Sequence, residues 1–106
     1  MLDPAPVFRA LADPTRRNIL GLLAREDMSI GHITDHFDMT RPAVKKHLAL
    51  LEDAQLITVT AKGRERINRL NRVGFQAAES WLGVFDQFWD DRLSALKSAV
   101  EKDTAP

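Results

Sequence analysis

From Ser29 to Ala54 the chain reads SIGHITDHFDMTRPAVKKHLALLEDA, with apolar residues returning at helical intervals. Ile30, Ile33 and Phe37 recur at three and four residues, so they share one face of a short helix, and Ser29 is a suitable N-cap for it. Asp38, Met39 and Thr40 leave a three-residue connection. Thr40 then caps a second helix with Pro42 in its first turn, where a missing N–H costs nothing. Val44, Leu48 and Leu51 form the buried stripe of that helix, and Arg41, Lys45, Lys46 and Ala49 form its outer face. A short helix, a tight turn and a longer helix with a cationic outer face predict a helix-turn-helix, the second helix shaped for the DNA major groove.

Upstream, Pro6 to Ala12 reads as a short helix with Val7, Phe8 and Leu11 inward. Asp13 and Pro14 are an N-cap and a first-turn proline opening a second helix to about Ala24, with Ile19, Leu20 and Leu23 buried. Arg16 and Arg17 near its start read as a solvated face or as phosphate contacts. Arg25, Glu26 and Asp27 form a polar connector. After Ala54 the period becomes alternating: Leu56 to Ala61 (LITVTA), a turn at Lys62-Gly63, then Arg64 to Asn71 (RERINRLN) with Ile67 and Leu70 as its apolar members. This predicts a β-hairpin with a basic tip, the wing of a winged helix, laying Lys62, Arg64 and Arg66 over the flanking backbone or minor groove. A solvated hairpin without a partner is the plain alternative.

The last predicted element is one long helix from about 75 to 101. Phe75, Ala78, Leu82, Phe85, Trp89, Leu93, Leu96 and Val100 make one apolar stripe, and Trp81, Val84, Phe88 and Ala95 a second beside it. A small domain needs one core-facing stripe, so the extra face calls for a partner. A homodimer follows as the expectation, built from this helix and the first one, with two recognition helices about 34 Å apart.

Composition narrows the function. At 106 residues the chain is expected to fold as one domain spanning 1–106, burying roughly 65% of its unfolded surface. Within it the helix-turn-helix covers about 30–53, the wing about 56–71 and the dimerisation helix about 75–101. No cysteine is present, which excludes disulfides, thiolate metal sites and thiol catalysis. The N-terminal stretch lacks a signal-peptide core and no apolar run is long enough to span a membrane, so the reading is cytoplasmic. Charge is balanced overall at 15 basic and 15 acidic residues. Its distribution is not: residues 39–72 hold eight basic residues against three acidic, and 73–106 six acidic against three basic. That asymmetry fits a nucleic-acid footprint on one part of the fold.

Phe8 to Arg17 (FRALADPTRR) with Ile19-Leu20, then Thr40-Arg-Pro-Ala-Val44, His47-Leu48, Leu50-Leu51-Glu52 and Leu56-Ile57, then Gly63-Arg64 and Arg69-Leu70, resemble the ArsR-type family of winged-helix repressors. The tail, with Trp81-Leu82, Phe88-Trp89 and Arg92-Leu93, is similar to a metal-independent, autorepressor-like branch. The resemblance implies a mainly α fold with a small β-hairpin, in the order α-α-α-α-β-β-α, dimeric through its terminal helices, acting as an operator-binding repressor. It places base-edge contacts on Arg41, Pro42 and Lys45, with Thr40, Lys46 and His47 nearer the phosphates. Arginine and lysine suit guanine O6 and N7, and a helix N-terminus suits phosphate. Lys45 stands where the family usually has serine. Gln55 stands where a glycine commonly ends the helix in a left-handed conformation, at a cost of about 1 kcal/mol.

Metal sensors in this family use a cysteine pair on the helix before the recognition helix, or Asp, His and Glu on the last helix. Both sets are missing. His32 and His36 have the i, i+4 spacing of a chelate, but two imidazoles make an incomplete site, so no metal and no cofactor is expected. His47 reads as bonding to backbone or phosphate. The chain is not expected to be an enzyme: it has no glycine-rich phosphate loop, and Asp90 and Asp91 diverge by about 100° on a helix. The expectation is a homodimeric, sequence-specific repressor of a pseudo-palindromic operator, with Phe8, Trp81, Val84, Phe85, Phe88 and Trp89 at the dimer interface. Two alternatives stand beside it. One is a winged-helix module that binds a partner protein and not DNA; the other is a repressor released by a small apolar effector among Trp81, Phe85, Phe88 and Trp89.

Overall fold

A computed structural model describes residues 2–104. Its elements are α1 (Ala5–Leu11), α2 (Pro14–Arg25), β1 (Met28–Ser29), α3 (Ile30–Thr34), α4 (Arg41–Asp53), β2 (Ile57–Lys62), β3 (Glu65–Leu70), α5 (Arg72–Gly83) and α6 (Asp86–Thr104). The strands form one antiparallel sheet in the order β1-β3-β2. The architecture is the expected winged helix-turn-helix, with a short strand and a divided last helix added.

The predicted caps are in place. Asp13 accepts from the amides of Thr15 and Arg16, Ser29 from that of His32, and Thr40 from that of Ala43. Ile19, Leu20, Leu23, Ile33, Val44, Leu48 and Leu51 meet in one core with Leu56, Ile57 and Met28. Val7 and Ala10 are the buried positions of α1, and Phe8 is 38% exposed instead of inward.

Four local readings change. The three-residue connection is longer: α3 ends at Thr34, and the amides of His36 and Phe37 donate to the carbonyls of Ile33 and Thr34 in tight i→i−3 turns. Phe37 still packs against the core, which is why apolar spacing alone did not reveal the early end. The connector after α2 leads into a strand, because Met28 pairs with Asn68 and Ser29 with Ile67. The hairpin turn is Gly63-Arg64, since Lys62 pairs with Glu65. Gly63 has φ +64, as a type II′ turn requires at its first central position. On β3, Asn68 is buried while Ile67 is only half-buried, so the core face is Asn68 and Leu70.

The single long helix is the main correction. Gly83 ends α5, and the amides of Val84 and Phe85 donate to Trp81 and Leu82, three residues back. α6 restarts at Asp86. Glycine costs about 1 kcal/mol inside a helix and an acid favours a first turn, so the backbone breaks while the apolar period runs on.

The junction between α4 and α5 is tight. Gln55 has φ 58; its amide donates to Glu52, and that of Leu56 donates to Leu51, the paired bonds of a Schellman cap. Gln55 therefore adopts the left-handed conformation usually left to glycine. Its carbonyl accepts from the Gly74 amide at 2.8 Å, and the Leu56 carbonyl from the Asn71 amide at 2.9 Å. Beyond this junction α6 runs away from the body, giving extents of 73 × 31 × 21 Å and a Cα radius of gyration of 19.9 Å, against about 13 Å for a compact chain of this length.

Candidate nucleic-acid interface

α4 turns its first turn and one flank to solvent. Thr40 Oγ1 accepts from the Ala43 amide at 3.3 Å, and the positive end of the helix dipole stands there. Arg41 lies back over α3: a Cβ on Gly31 would come within 2.7 Å of Arg41 Nη2. Lys45 and Lys46 are exposed on the next turn, and Ala49 one turn further.

The hairpin faces this flank. Strand alternation puts Val59, Arg66 and Asn68 on one side and Lys62 on the other, while Arg64 sits in the turn. A groove of about 610 Å³ separates α4 from the hairpin, with Arg41, Lys45 and Arg66 contributing to its lining. Lys46, Lys62 and Arg64 are not among its lining residues. Among the described residues none of these six cations is in an ion pair.

Arg16 is half-buried and is not a solvated face, whereas Arg17 stays exposed; both bond to the end of α1. Arg17 Nη1 donates to the Leu11 carbonyl at 2.6 Å. Arg16 Nε donates to the Ala10 carbonyl at 2.7 Å and Nη2 to the Arg9 carbonyl at 3.0 Å. Both arginines cap the open C-terminal carbonyls of α1. Arg16 Nη1 also lies 3.4 Å from His47 Nδ1, so His47 bonds to a side chain, not to backbone. A guanidinium can only donate, so Nδ1 accepts and the neutral ring carries its proton on Nε2. Arg16 thus joins α1 and α2 to the helix carrying Lys45 and Lys46. Asp13, 3.6 Å from Arg16, has its carboxyl held below the ordinary value: partial burial pushes it up, but the Thr15 and Arg16 amides and the charge of Arg16 outweigh that.

The expected dimer residues share a second, apolar surface. Phe8 meets Trp81 edge-on at 5.7 Å, and Trp81 meets Phe85 at 5.2 Å. Across the break, Phe88 and Trp89 pair at 4.9 Å, with Arg92 over the Phe88 ring at 5.2 Å. All remain open: Trp81 is 47% exposed, Phe85 41%, Trp89 59% and Val84 73%.

His32 and His36 are exposed, their rings 5.5 Å apart. His36 Nδ1 lies 3.0 Å from the His32 carbonyl, and His32 Nε2 is 3.8 Å from Glu26. Among the described residues no group of three or more His, Cys, Asp or Glu is placed to hold a metal ion.

Sequence reasoning missed three contributors. Asn68 is buried and its Nδ2 donates to the Met28 carbonyl at 3.1 Å, fastening the wing to β1. Arg69 Nε stands 3.9 Å from Asp27 across the same strands. Gly31 provides the seat for Arg41. A polar residue at an inward strand position was the one visible signal, at Asn68.

A helix-turn-helix domain family model matches residues 11–60. The transcriptional repressor SdpR of Bacillus subtilis is 40% identical over 87 residues, covering 82% of this chain and 97% of that protein. A solved ArsR-like transcriptional regulator from Rhodococcus superposes with a TM-score of 0.73 at 33% identity, covering 91% of each chain. The homodimeric winged helix-turn-helix DNA-binding domain of Mb0332 from Mycobacterium bovis shares the fold, with a TM-score of 0.62 at 24% identity over 86% of this chain and 82% of that one.

Proposed function

Since the chain belongs to the ArsR family of winged helix-turn-helix transcriptional regulators, we propose that it represses transcription by binding a pseudo-palindromic operator as a homodimer, without a metal cofactor. The observation that carries this reading is the grouping of unpaired cations on one face, with Arg41 and Lys45 of α4 and Arg66 of β3 around a single groove. A helix with that face fits the major groove, and a hairpin beside it reaches the flanking backbone. In this reading Arg41, Pro42 and Lys45 meet base edges, while Thr40, Lys46 and His47 meet phosphates. Lys62, Arg64 and Arg66 hold the adjacent backbone. His47 offers Nε2–H, because Nδ1 is occupied by Arg16.

The homodimer is supported by the apolar surface that this chain cannot cover itself. Phe8, Trp81, Val84, Phe85, Phe88 and Trp89 are each more than a third exposed, a grouping of large apolar side chains that marks an interaction surface. Pairing them about a two-fold axis sets two α4 helices against successive major grooves, about 34 Å apart. The same rings are each more than a third exposed, an open face that disfavours an effector lodged there.

The test is fluorescence anisotropy against DNA from upstream of the protein's own gene and against a scrambled duplex, over a salt series. Binding to the first about 10³-fold tighter than to the second, with steep salt dependence, is the expected result. Absence of binding to either at low salt would overturn the reading in favour of a protein-binding module.

A further inference from the structure

The groove between α4 and the hairpin is larger and less polar than a phosphate track needs. Its volume of about 610 Å³ lies within the roughly 300–1,000 Å³ of small-molecule sites. Ile30, Leu48, Ala49 and Val59 supply an apolar wall, and Arg41, Lys45 and Arg66 supply unpaired positive charge. Glu52 and Asp53 line it as well, in the last turn of α4. A DNA strand uses only part of this lining. Its base edges occupy Arg41 and Lys45 and its phosphates Arg66, while those phosphates gain nothing from the apolar wall and are repelled by the two carboxylates.

We propose that this groove is an effector site for a small amphiphilic monocarboxylate, which removes the protein from DNA by occupying the reading face itself. The carboxylate pairs with Arg41, Lys45 and Arg66, and the apolar body lies along Leu48, Ala49 and Val59. Glu52 is seven residues beyond Lys45 on the same helix, about 10 Å at 1.5 Å per residue. That separation limits the body to a short chain and rejects a second carboxylate at its far end, where Glu52 and Asp53 stand. A neutral alcohol of equal length lacks the head that the cations bind. The site thereby selects for charge at one end only. Release from DNA rests on the operator-binding reading above; binding of the carboxylate to the free protein does not.

The probe is octanoate, compared with suberate and 1-octanol. In amide-resolved NMR titration of the free protein, octanoate shifts resonances of Ala49, Val59 and Asn68 and saturates at low millimolar concentration, whereas suberate and 1-octanol bind at least tenfold more weakly. Ala49→Phe fills the groove from an exposed helix position and abolishes the octanoate shifts while the protein remains folded and its oligomeric state unchanged. In anisotropy, saturating octanoate lowers affinity for own-promoter DNA at least tenfold, and suberate does not. Shifts confined to residues 81–100, equal binding of all three probes, or octanoate in the groove with DNA affinity unchanged would each overturn the proposal. If DNA is not bound at all, the operator reading fails and release from DNA fails with it. The titration still decides whether the groove is a carboxylate site.

Discussion

Gly74→Ala tests whether the α4–α5 junction is as rigid as its hydrogen bonds indicate. Gly74 lies in the first turn of α5, and an ideal Cβ there would stand 2.6 Å from the carbonyl oxygens of both Ala54 and Gln55 and 2.8 Å from the Gln55 carbonyl carbon. Ordinary carbon–oxygen contacts begin near about 3.3 Å, so the helices must part by about 0.7 Å. The opposing atoms are backbone, and the Gln55 carbonyl already accepts from the Gly74 amide at 2.8 Å. Overpacking of this kind costs about 1–3 kcal/mol, and stretching that hydrogen bond about 1 kcal/mol more. Alanine's better helix propensity returns about 0.5–1 kcal/mol. The net expectation is a loss of about 2 kcal/mol, or a fall in Tm of about 10 °C for a domain of this size. Urea and thermal denaturation followed by far-UV circular dichroism, at one fixed protein concentration, measure it. Gly21→Ala is the control, because its added Cβ meets nothing within 4 Å; in the exposed middle of α2 it raises stability by about 0.5–1 kcal/mol. Stability of Gly74→Ala within about 0.5 kcal/mol of the parent would refute the rigid junction.

Gln55→Gly relieves the left-handed strain at φ 58 and should raise stability by about 1 kcal/mol in the same denaturation assay; no gain would mean that the side chain contributes something its exposure conceals. Asp13 has a folded pKa lowered from 3.8, so its charge adds stability that is present above that value and lost as pH falls through the lower folded one. Asn retains the cap without the charge, so the Tm difference between the parent and Asp13→Asn should shrink between pH 5 and pH 2.5; a constant difference would show that the charge is not what Arg16 and the amides recognise. Arg41→Ala and Lys45→Ala should each cost about 1–3 kcal/mol on operator DNA and relax specificity, while Arg64→Ala weakens all duplexes alike and flattens the salt slope by about one unit. Equal losses on every duplex from all three variants would relocate the base-reading residues.

The recognisable parts of this fold were those encoded within a single helical turn or a short alternation. Asp13, Ser29 and Thr40 cap because a side-chain oxygen reaches an amide two or three residues away, and Ile19, Val44 and Leu51 are buried because their period is that of the helix they occupy. The left-handed conformation of Gln55 was suggested only by the family resemblance, in which a glycine commonly stands there. Other features were hidden because nothing local distinguishes them. Met28 and Ser29 become a strand only by meeting Asn68 and Ile67. The break after Gly83 lies beneath an apolar spacing that continues unchanged across it.

The succession of the four N-terminal helices and the hairpin, the caps at Asp13, Ser29 and Thr40, the cationic face of α4, and the surplus of aromatic residues near the C-terminus were therefore determined by the sequence itself, through interactions of short range along the chain. Tertiary structure alone decided which cations share a groove. Strand pairing turns Arg66 toward α4 and Lys62 away from it, since neighbouring side chains on a strand point to opposite faces. It also decided that Arg16 binds α1 carbonyls and His47, a contact between residues 31 positions apart, and that Gly74 touches the backbone of the preceding helix. Such pairings depend on the relative placement of distant elements, which the packing of the common core sets and no local pattern records.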